Sequence, residues 1–171
     1  MIDQSASFIG NPNQGLIEGC ALAYHTVIEN VGGLERGTDF TINGQYGSPI
    51  ERPVLFADGK LLVCVGKLER VYERPKAGLY VEIRLDVGSP YFKQLRNRIL
   101  DEEIPLSAGA IDELVRSHRG YVSCFPFAEV QLGLSTAPRL ISFERSLAHF
   151  KTAGIEMPMQ MRTARHFVAV C

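Results

Sequence analysis

The stretch Leu79-Tyr80-Val81-Glu82-Ile83-Arg84-Leu85 alternates core-type side chains with polar or amphipathic ones over its whole length. A period of two is typical of a β-strand that has one face on the core and the other toward solvent. The pattern therefore predicts a strand at 79–85, with Ile83 on the buried face.

Similar runs lie on both sides of this stretch. Six further segments rich in apolar and β-branched residues predict strands, at 16–29, 54–57, 61–72, 104–110, 120–125 and 128–134. Asp58-Gly59 and the polar segment 73–78 have the composition of hairpin turns. The segment 30–53 is rich in glycine and proline, which predicts a long irregular connection with a short extended piece at 40–42.

Two segments space their apolar residues by three and four, as amphipathic helices do. The first, 89–100, offers Ser89 as an N-cap and Pro90 in the first turn. The second, 139–150, is followed by Gly154 as a stop signal. The predicted buried faces are Phe92, Leu95 and Ile99 in the first helix and Leu140, Phe143, Leu147 and Phe150 in the second.

These elements predict an α+β fold with a compact, mostly antiparallel, barrel-like β core and one or two packed helices. A length of 171 residues suits one domain. We place an N-terminal arm at 1–15, the domain at 16–152, and a C-terminal arm or last strand at 153–171.

Composition narrows the function classes. Lys and Arg number 18 and Asp and Glu 19, for a formal net charge of −1, which argues against broad binding to nucleic acid or anionic membrane. No apolar run approaches the roughly 20 residues that span a bilayer, and the N-terminus lacks the pattern of a secretory signal. The four cysteines form no CxxC pair and no phosphate loop occurs, so we expect neither a metal nor a cofactor.

The order of motifs along 65–138 carries most of the functional information. It comprises VGKLERV, AGLYVEIRL, a helix with Tyr91, PLSAGA and GYVSCFPFAEVQLGLSTAP. Together with the upstream segments 38–40 and 52–56, this set resembles the tailed-phage prohead (capsid maturation) protease family, which is related in fold to the herpesvirus assemblins. The resemblance covers roughly 20–140 and rests on the ordered set, since each piece alone is weak.

The resemblance implies a serine protease on a barrel-like core. The family's nucleophile lies in a strand of the form L-S-x-G-[AF], which matches 106–110 and makes Ser107 the corresponding serine. Small residues after the serine, such as Gly109, let backbone N–H groups approach a developing oxyanion. The family's acidic position matches Glu129, and Gln131 stands where the family usually has a serine.

One part of the family pattern is missing. The family's general base is a histidine in an apolar run before a glycine, and here that place holds Ala57 or Asp58. A serine hydroxyl is a poor nucleophile without a base of suitable pKa, and an aspartate with an ordinary pKa near 4 is a weak substitute. The best alternative base is His25, because triads assemble from remote segments. The histidines at 118, 149 and 166, in a polar turn, the late helix and the tail, do not repair the motif.

The missing histidine favours a non-catalytic role. We expect a virion protein of the capsid that decorates, cements or joins the head, with the major capsid protein and copies of itself as partners, and that passes through the host cytoplasm during assembly. Ser107, Glu129 and Asp58 then form a remnant site. The alternative is an active maturation protease that cleaves scaffold and capsid proteins, with Ser107 as nucleophile. A third hypothesis is a cellular interaction module whose resemblance is accidental.

Overall fold

The computed structural model describes residues 2–28, 31–33, 48–59 and 61–163. Its strands are β1 (Ser7–Phe8), β2 (Leu16–Ala23), β3 (Val27–Ile28), β4 (Gly32–Gly33), β5 (Pro53–Asp58), β6 (Leu61–Arg74), β7 (Gly78–Leu85), β8 (Leu106–Ile111), β9 (Arg116–His118), β10 (Tyr121–Cys124), β11 (Phe127–Leu132) and β12 (Arg139–Ile141). The helices are α1 (Phe92–Asp101), α2 (Phe143–Thr152) and a short helical segment at 159–163. The predicted extended piece at 40–42 lies outside the described residues.

The strands form a large sheet and a small one. The large sheet has eight strands in the order β1-β2-β7-β6-β5-β11-β8-β12, and the small sheet has the order β3-β4-β10-β9. Most pairs are antiparallel, while β5 and β11, β8 and β12, and β4 and β10 run parallel. The predicted α+β class is confirmed. The predicted barrel is not found as a closed one. In the described residues the large sheet is open, because β1 and β12 form its two edges and do not pair with each other.

Alternation along β7 follows the sequence pattern. Ile83 is fully buried, as predicted, and its apolar neighbours on the strand belong to the same core cluster. The hairpins on either side of β6 have the predicted turns, with Gly59 at a positive φ of 60° in the first. The pattern of period two therefore predicts the buried face of β7, whereas β5 and β11 are buried on both faces.

The N-terminal segment is part of the sheet rather than an arm. Ser5 forms an antiparallel bridge with Pro105, and the amide of Ala6 donates to the carbonyl of Ile104 at 2.9 Å. The amide of Leu106 in turn donates to the carbonyl of Gln4 at 2.9 Å. The polar composition of 1–15 concealed this role, because the contacts of these residues are made by backbone groups.

Helix α1 buries the predicted face but starts later than expected. Phe92, Leu95 and Ile99 are buried. The N-cap position falls on Tyr91, with no side-chain cap, while the hydroxyl of Ser89 accepts a hydrogen bond from the amide of Tyr91 at 3.2 Å. Ser89 therefore closes a turn just before the helix instead of capping it.

Helix α2 starts three residues later than its predicted face required. Residues 139–141 form β12, which pairs with β8 through backbone hydrogen bonds that the side-chain pattern does not reveal. Ser142 caps the helix by accepting from the amide of Arg145 at 3.2 Å. The buried residues of α2 are Phe143, Ser146 and Phe150, whereas Leu147, predicted to be buried, is 43% exposed. Gly154, at φ 68°, follows the helix as predicted.

The segment after α2 packs on the molecule. Met157 and Met161 are buried in a second apolar cluster together with residues of α2. The guanidinium of Arg52 is buried beside this segment and donates to the carbonyl of Phe127, to Met161 Sδ at 3.3 Å and to the carbonyl of Ser48 at 2.9 Å. Burial lowers the pKa of Arg52 to about 10. The predicted last strand, His166 and Cys171 lie outside the described residues.

Candidate functional site

The candidate site lies on the face of the sheet that α2 covers. Strands β8 and β11 are antiparallel, with Ser107 opposite Gln131 and Gly109 opposite Glu129. Directly opposed residues point their side chains to the same face of a sheet. The resemblance therefore selected two residues, Ser107 and Glu129, that the fold brings to adjacent rows of neighbouring strands.

The carboxylate of Glu129 is the centre of the cluster. Its side chain is fully buried, and its Oε1 lies 2.6 Å from His149 Nδ1 of α2. Its Oε2 accepts a hydrogen bond from the side-chain amide of Gln131. Nδ1 of this imidazole can donate to the carboxylate, and Nε2 is the ring nitrogen outside this contact. A carboxylate bound to Nδ1 is also how an imidazole is oriented in a serine triad.

Three polar atoms in this region have no hydrogen-bond partner within the described part of the chain. They are Ser107 Oγ, Gln131 Oε1 and Ser146 Oγ, and all three side chains are at least 99% buried. Leaving a buried polar group unpaired costs about 1–3 kcal/mol. Between α2 and the sheet, Glu129 and His149 therefore make a close polar contact, whereas the hydroxyl of Ser107 is left without a hydrogen bond.

Gly109 makes room for the carboxylate. A Cβ atom at this position would lie 2.8 Å from Glu129 Cγ, closer than side chains approach each other. The resemblance assigned the glycine to backbone access around an oxyanion. In the structure its lack of a side chain has a different consequence, because it lets Glu129 lie flat against β8.

The other predicted site residues lie elsewhere. Ala57 and Asp58 end β5, two and three residues beyond Leu55, which is the partner of Gln131 in the ladder. His25 is exposed at φ 64° in the turn after β2. The side chain of Asp58 lies outside the described part of the structure. Ser107 Oγ has no hydrogen-bond partner among the described side chains, so His25 is not hydrogen-bonded to it.

His149 is the residue that sequence reasoning missed. The predicted helix at 139–150 had Leu147 on its buried face, and that face did not include His149. With the cap at Ser142, the buried positions become 143, 146 and 150, and position 149 borders them. The correct cap gives a signal for partial burial, but only the topology shows that α2 crosses β11 at Glu129.

An open cleft of about 390 Å³ lies beside the end of α2. Its lining includes Cys64, Lys67, Arg84 and Ala153. It begins one helical turn beyond His149, since the amide of Ala153 donates to the carbonyl of His149 at 3.0 Å. Burial raises the pKa of the Cys64 thiol, so this cysteine is a weak nucleophile.

No metal centre or membrane helix is found in the part of the chain that the structure describes. Over residues 2–28, 31–33, 48–59 and 61–163, no three His, Cys, Asp or Glu side chains come close enough to hold a metal ion. Over the same residues, no helix has the length and apolar character needed to cross a bilayer.

Comparison with protein-family models, with curated proteins and with solved structures found no significant match to this chain.

Proposed function

We propose that this chain is a non-catalytic structural protein of a tailed-phage capsid, with the prohead-protease fold and a sealed active site. The main support for the proposal is that Ser107 is buried and lacks a base. Its side chain is fully buried, and its hydroxyl has no base within hydrogen-bond distance in the described structure. A nucleophile must meet both its base and its substrate, and Ser107 meets neither.

In this proposal Glu129 also has a structural role instead of a catalytic one. Glu129 Oε2 accepts a hydrogen bond from Gln131 and Oε1 lies 2.6 Å from His149 Nδ1, so each of its oxygens has a partner. This arrangement joins α2 to the sheet through a fully buried carboxylate. A site that once polarised a histidine for catalysis then serves as a polar anchor between two layers of the fold.

The capsid assignment rests on the family resemblance and on the shape of the chain. The resemblance implies a barrel-like core. The described sheet is open, and backbone contacts join residues 4–6 to residues 104–106 at the start of β8. Large apolar side chains stand exposed at Val27, Leu61 and Met159, at 65–75% of their full accessibility. In the proposed capsid role, these side chains would contact the major capsid protein and further copies of the chain.

Replacing Ser107 by Ala in the phage that encodes the chain tests the proposal. We expect Ser107→Ala to leave head assembly and the masses of the processed capsid proteins unchanged. Ile83→Ala is the matched control, because loss of a fully buried side chain lowers the amount of folded protein and so shows that the assay responds to this chain. Uncleaved scaffold or capsid protein in the Ser107→Ala phage contradicts a non-catalytic role.

A second candidate is an active serine endopeptidase of head maturation. The contact of 2.6 Å between Glu129 and His149 favours it, because this is the orientation that a triad imposes on its imidazole. In this case α2 supplies the base that is missing from β5. Ser107→Ala then abolishes scaffold cleavage while the heads retain the full-length chain.

A further inference from the structure

We infer that Gln131 is an internal plug that separates Ser107 from the Glu129–His149 pair, and that shortening its side chain unmasks a serine reactive toward small electrophiles. The inference rests on the proposed sealed site, and it names the residue that seals it. It also assigns the base to His149, in a place that the family motif does not contain.

Gln131 and Ser107 are neighbours on adjacent strands. Gln131 lies directly opposite Ser107 on the neighbouring strand, so their Cβ atoms are about 4.5–5.5 Å apart. The two side chains share one face, and both are almost completely buried. The side chain of Gln131 therefore starts beside Ser107 in the buried layer, where it takes up space that a reacting group would need.

A hydrogen bond to Glu129 holds the side chain of Gln131 in place. The amide nitrogen of Gln131 donates to Glu129 Oε2, which directs the carboxamide along β11 toward the carboxylate. Its carbonyl oxygen is left without a partner among the described residues, as is the hydroxyl of Ser107. One hydrogen bond to a buried carboxylate thus fixes a side chain whose other polar end is unsatisfied.

His149 is the base in this inference. His149 has its Nδ1 on Glu129 Oε1, so its Nε2 is the nitrogen that can accept a proton. Its side chain is 17% exposed, whereas Glu129 is fully buried. The imidazole therefore lies at the boundary between the buried cluster and solvent, in contact with the carboxylate that is one row away from Ser107 and Gln131.

The chemistry of a small sulfonyl fluoride tests this arrangement. Ser107 Oγ attacks the sulfur, an O–S bond forms, the S–F bond breaks, and fluoride leaves. The hydroxyl proton passes to His149 Nε2, and solvent later removes it. Methanesulfonyl fluoride is a suitable probe, because its small size matches the space that the missing carboxamide leaves.

The experiment compares the wild-type chain with Gln131→Ala and Gln131→Met by intact mass and by mapping of the modified peptide. Methionine has nearly the length of glutamine and keeps the bulk, but it cannot donate to Glu129. We expect sulfonylation of Ser107 in Gln131→Ala at a rate at least about tenfold above that of the wild-type and Gln131→Met chains. Adding Ser107→Ala removes the label, and adding His149→Gln slows it by roughly 10²-fold, the lower end of what a general base contributes.

The outcomes separate the plug from the proposed function. A wild-type chain that is rapidly sulfonylated at Ser107 contradicts the sealed site, and with it the non-catalytic role. A folded Gln131→Ala chain that stays unlabelled overturns the plug alone. Equal labelling of Gln131→Ala and Gln131→Met also overturns the plug. Loss of the hydrogen bond to Glu129 would then explain the reactivity of Ser107, and the size of the side chain at position 131 would not.

Folding of each variant is checked by near-ultraviolet circular dichroism. Gln131→Ser serves as a second opening variant, since its hydroxyl can replace the donor to Glu129 at a shorter length. If neither Gln131→Ala nor Gln131→Ser folds, Gln131 is an indispensable part of the core and the inference of a removable plug is wrong.

Discussion

Removing the imidazole of His149 tests the contact that holds α2 to the sheet. In His149→Ala the fully buried carboxylate of Glu129 loses its partner at 2.6 Å and keeps only the amide of Gln131. A hydrogen bond to a charged group contributes about 1.5–3 kcal/mol. Complete loss of partners around a buried charge costs about 3–5 kcal/mol, so the remaining donor keeps the expected loss below that range.

We therefore expect His149→Ala to lower the free energy of unfolding by about 2–3 kcal/mol. At roughly 2–4 °C per kcal/mol for a chain of this size, the melting temperature falls by roughly 4–12 °C. His149→Gln, which can still donate to Glu129, recovers part of the loss. His118→Ala is the matched control, because His118 is exposed at the end of β9.

Urea denaturation at neutral pH, followed by circular dichroism, measures the difference. An unchanged slope against urea indicates that the variants differ in stability and not in compactness. If His149→Ala unfolds within about 0.5 kcal/mol of the wild type, as surface substitutions do, then the Glu129–His149 contact does not anchor α2 and the description of the site fails.

Three other predictions concern the core and the thiols. Ile83→Ala removes a fully buried side chain and is expected to cost about 2–5 kcal/mol, and a melting shift near zero would mean that the strand does not pack as described. Gly109→Ala places a Cβ atom 2.8 Å from Glu129 Cγ and is expected to cost about 1–3 kcal/mol, whereas Gly120→Ala, with open space around it but a strained φ of 84°, reports the backbone cost alone. Burial raises the pKa of the Cys20 thiol, so alkylation at pH 8 is expected to be much slower in the native chain than in urea, and equal rates would refute the burial of Cys20.

The parts of the fold that the sequence predicted are those set by local side-chain patterns. Strand β7 and its buried Ile83 follow from alternation, and the apolar face of α1 follows from spacings of three and four. The roles of the N-terminal segment and of β12 depend on backbone pairing with β8. No local pattern reports such pairing, because every residue offers the same donor and acceptor.

The candidate site was predicted in part for a similar reason. Ser107 and Glu129 came from ordered motifs, and the register of β8 and β11 brings them to adjacent rows. His149 was missed because the predicted helix began at the wrong residue and because its contact with Glu129, 20 residues earlier in the chain, depends on where α2 packs on the sheet. Gln131 was noted as a departure from the motif, but its contact with Glu129 depends on side-chain packing that no spacing reveals.

Quantitative mass spectrometry of purified mature particles tests the proposed function most directly. It records the intact mass of this chain and its copy number relative to the major capsid protein. A structural role predicts the full-length chain at a fixed ratio that fits the symmetry of the capsid. Absence of the chain from mature particles, or a trimmed form beside cleaved capsid protein, would contradict that role and indicate a working protease.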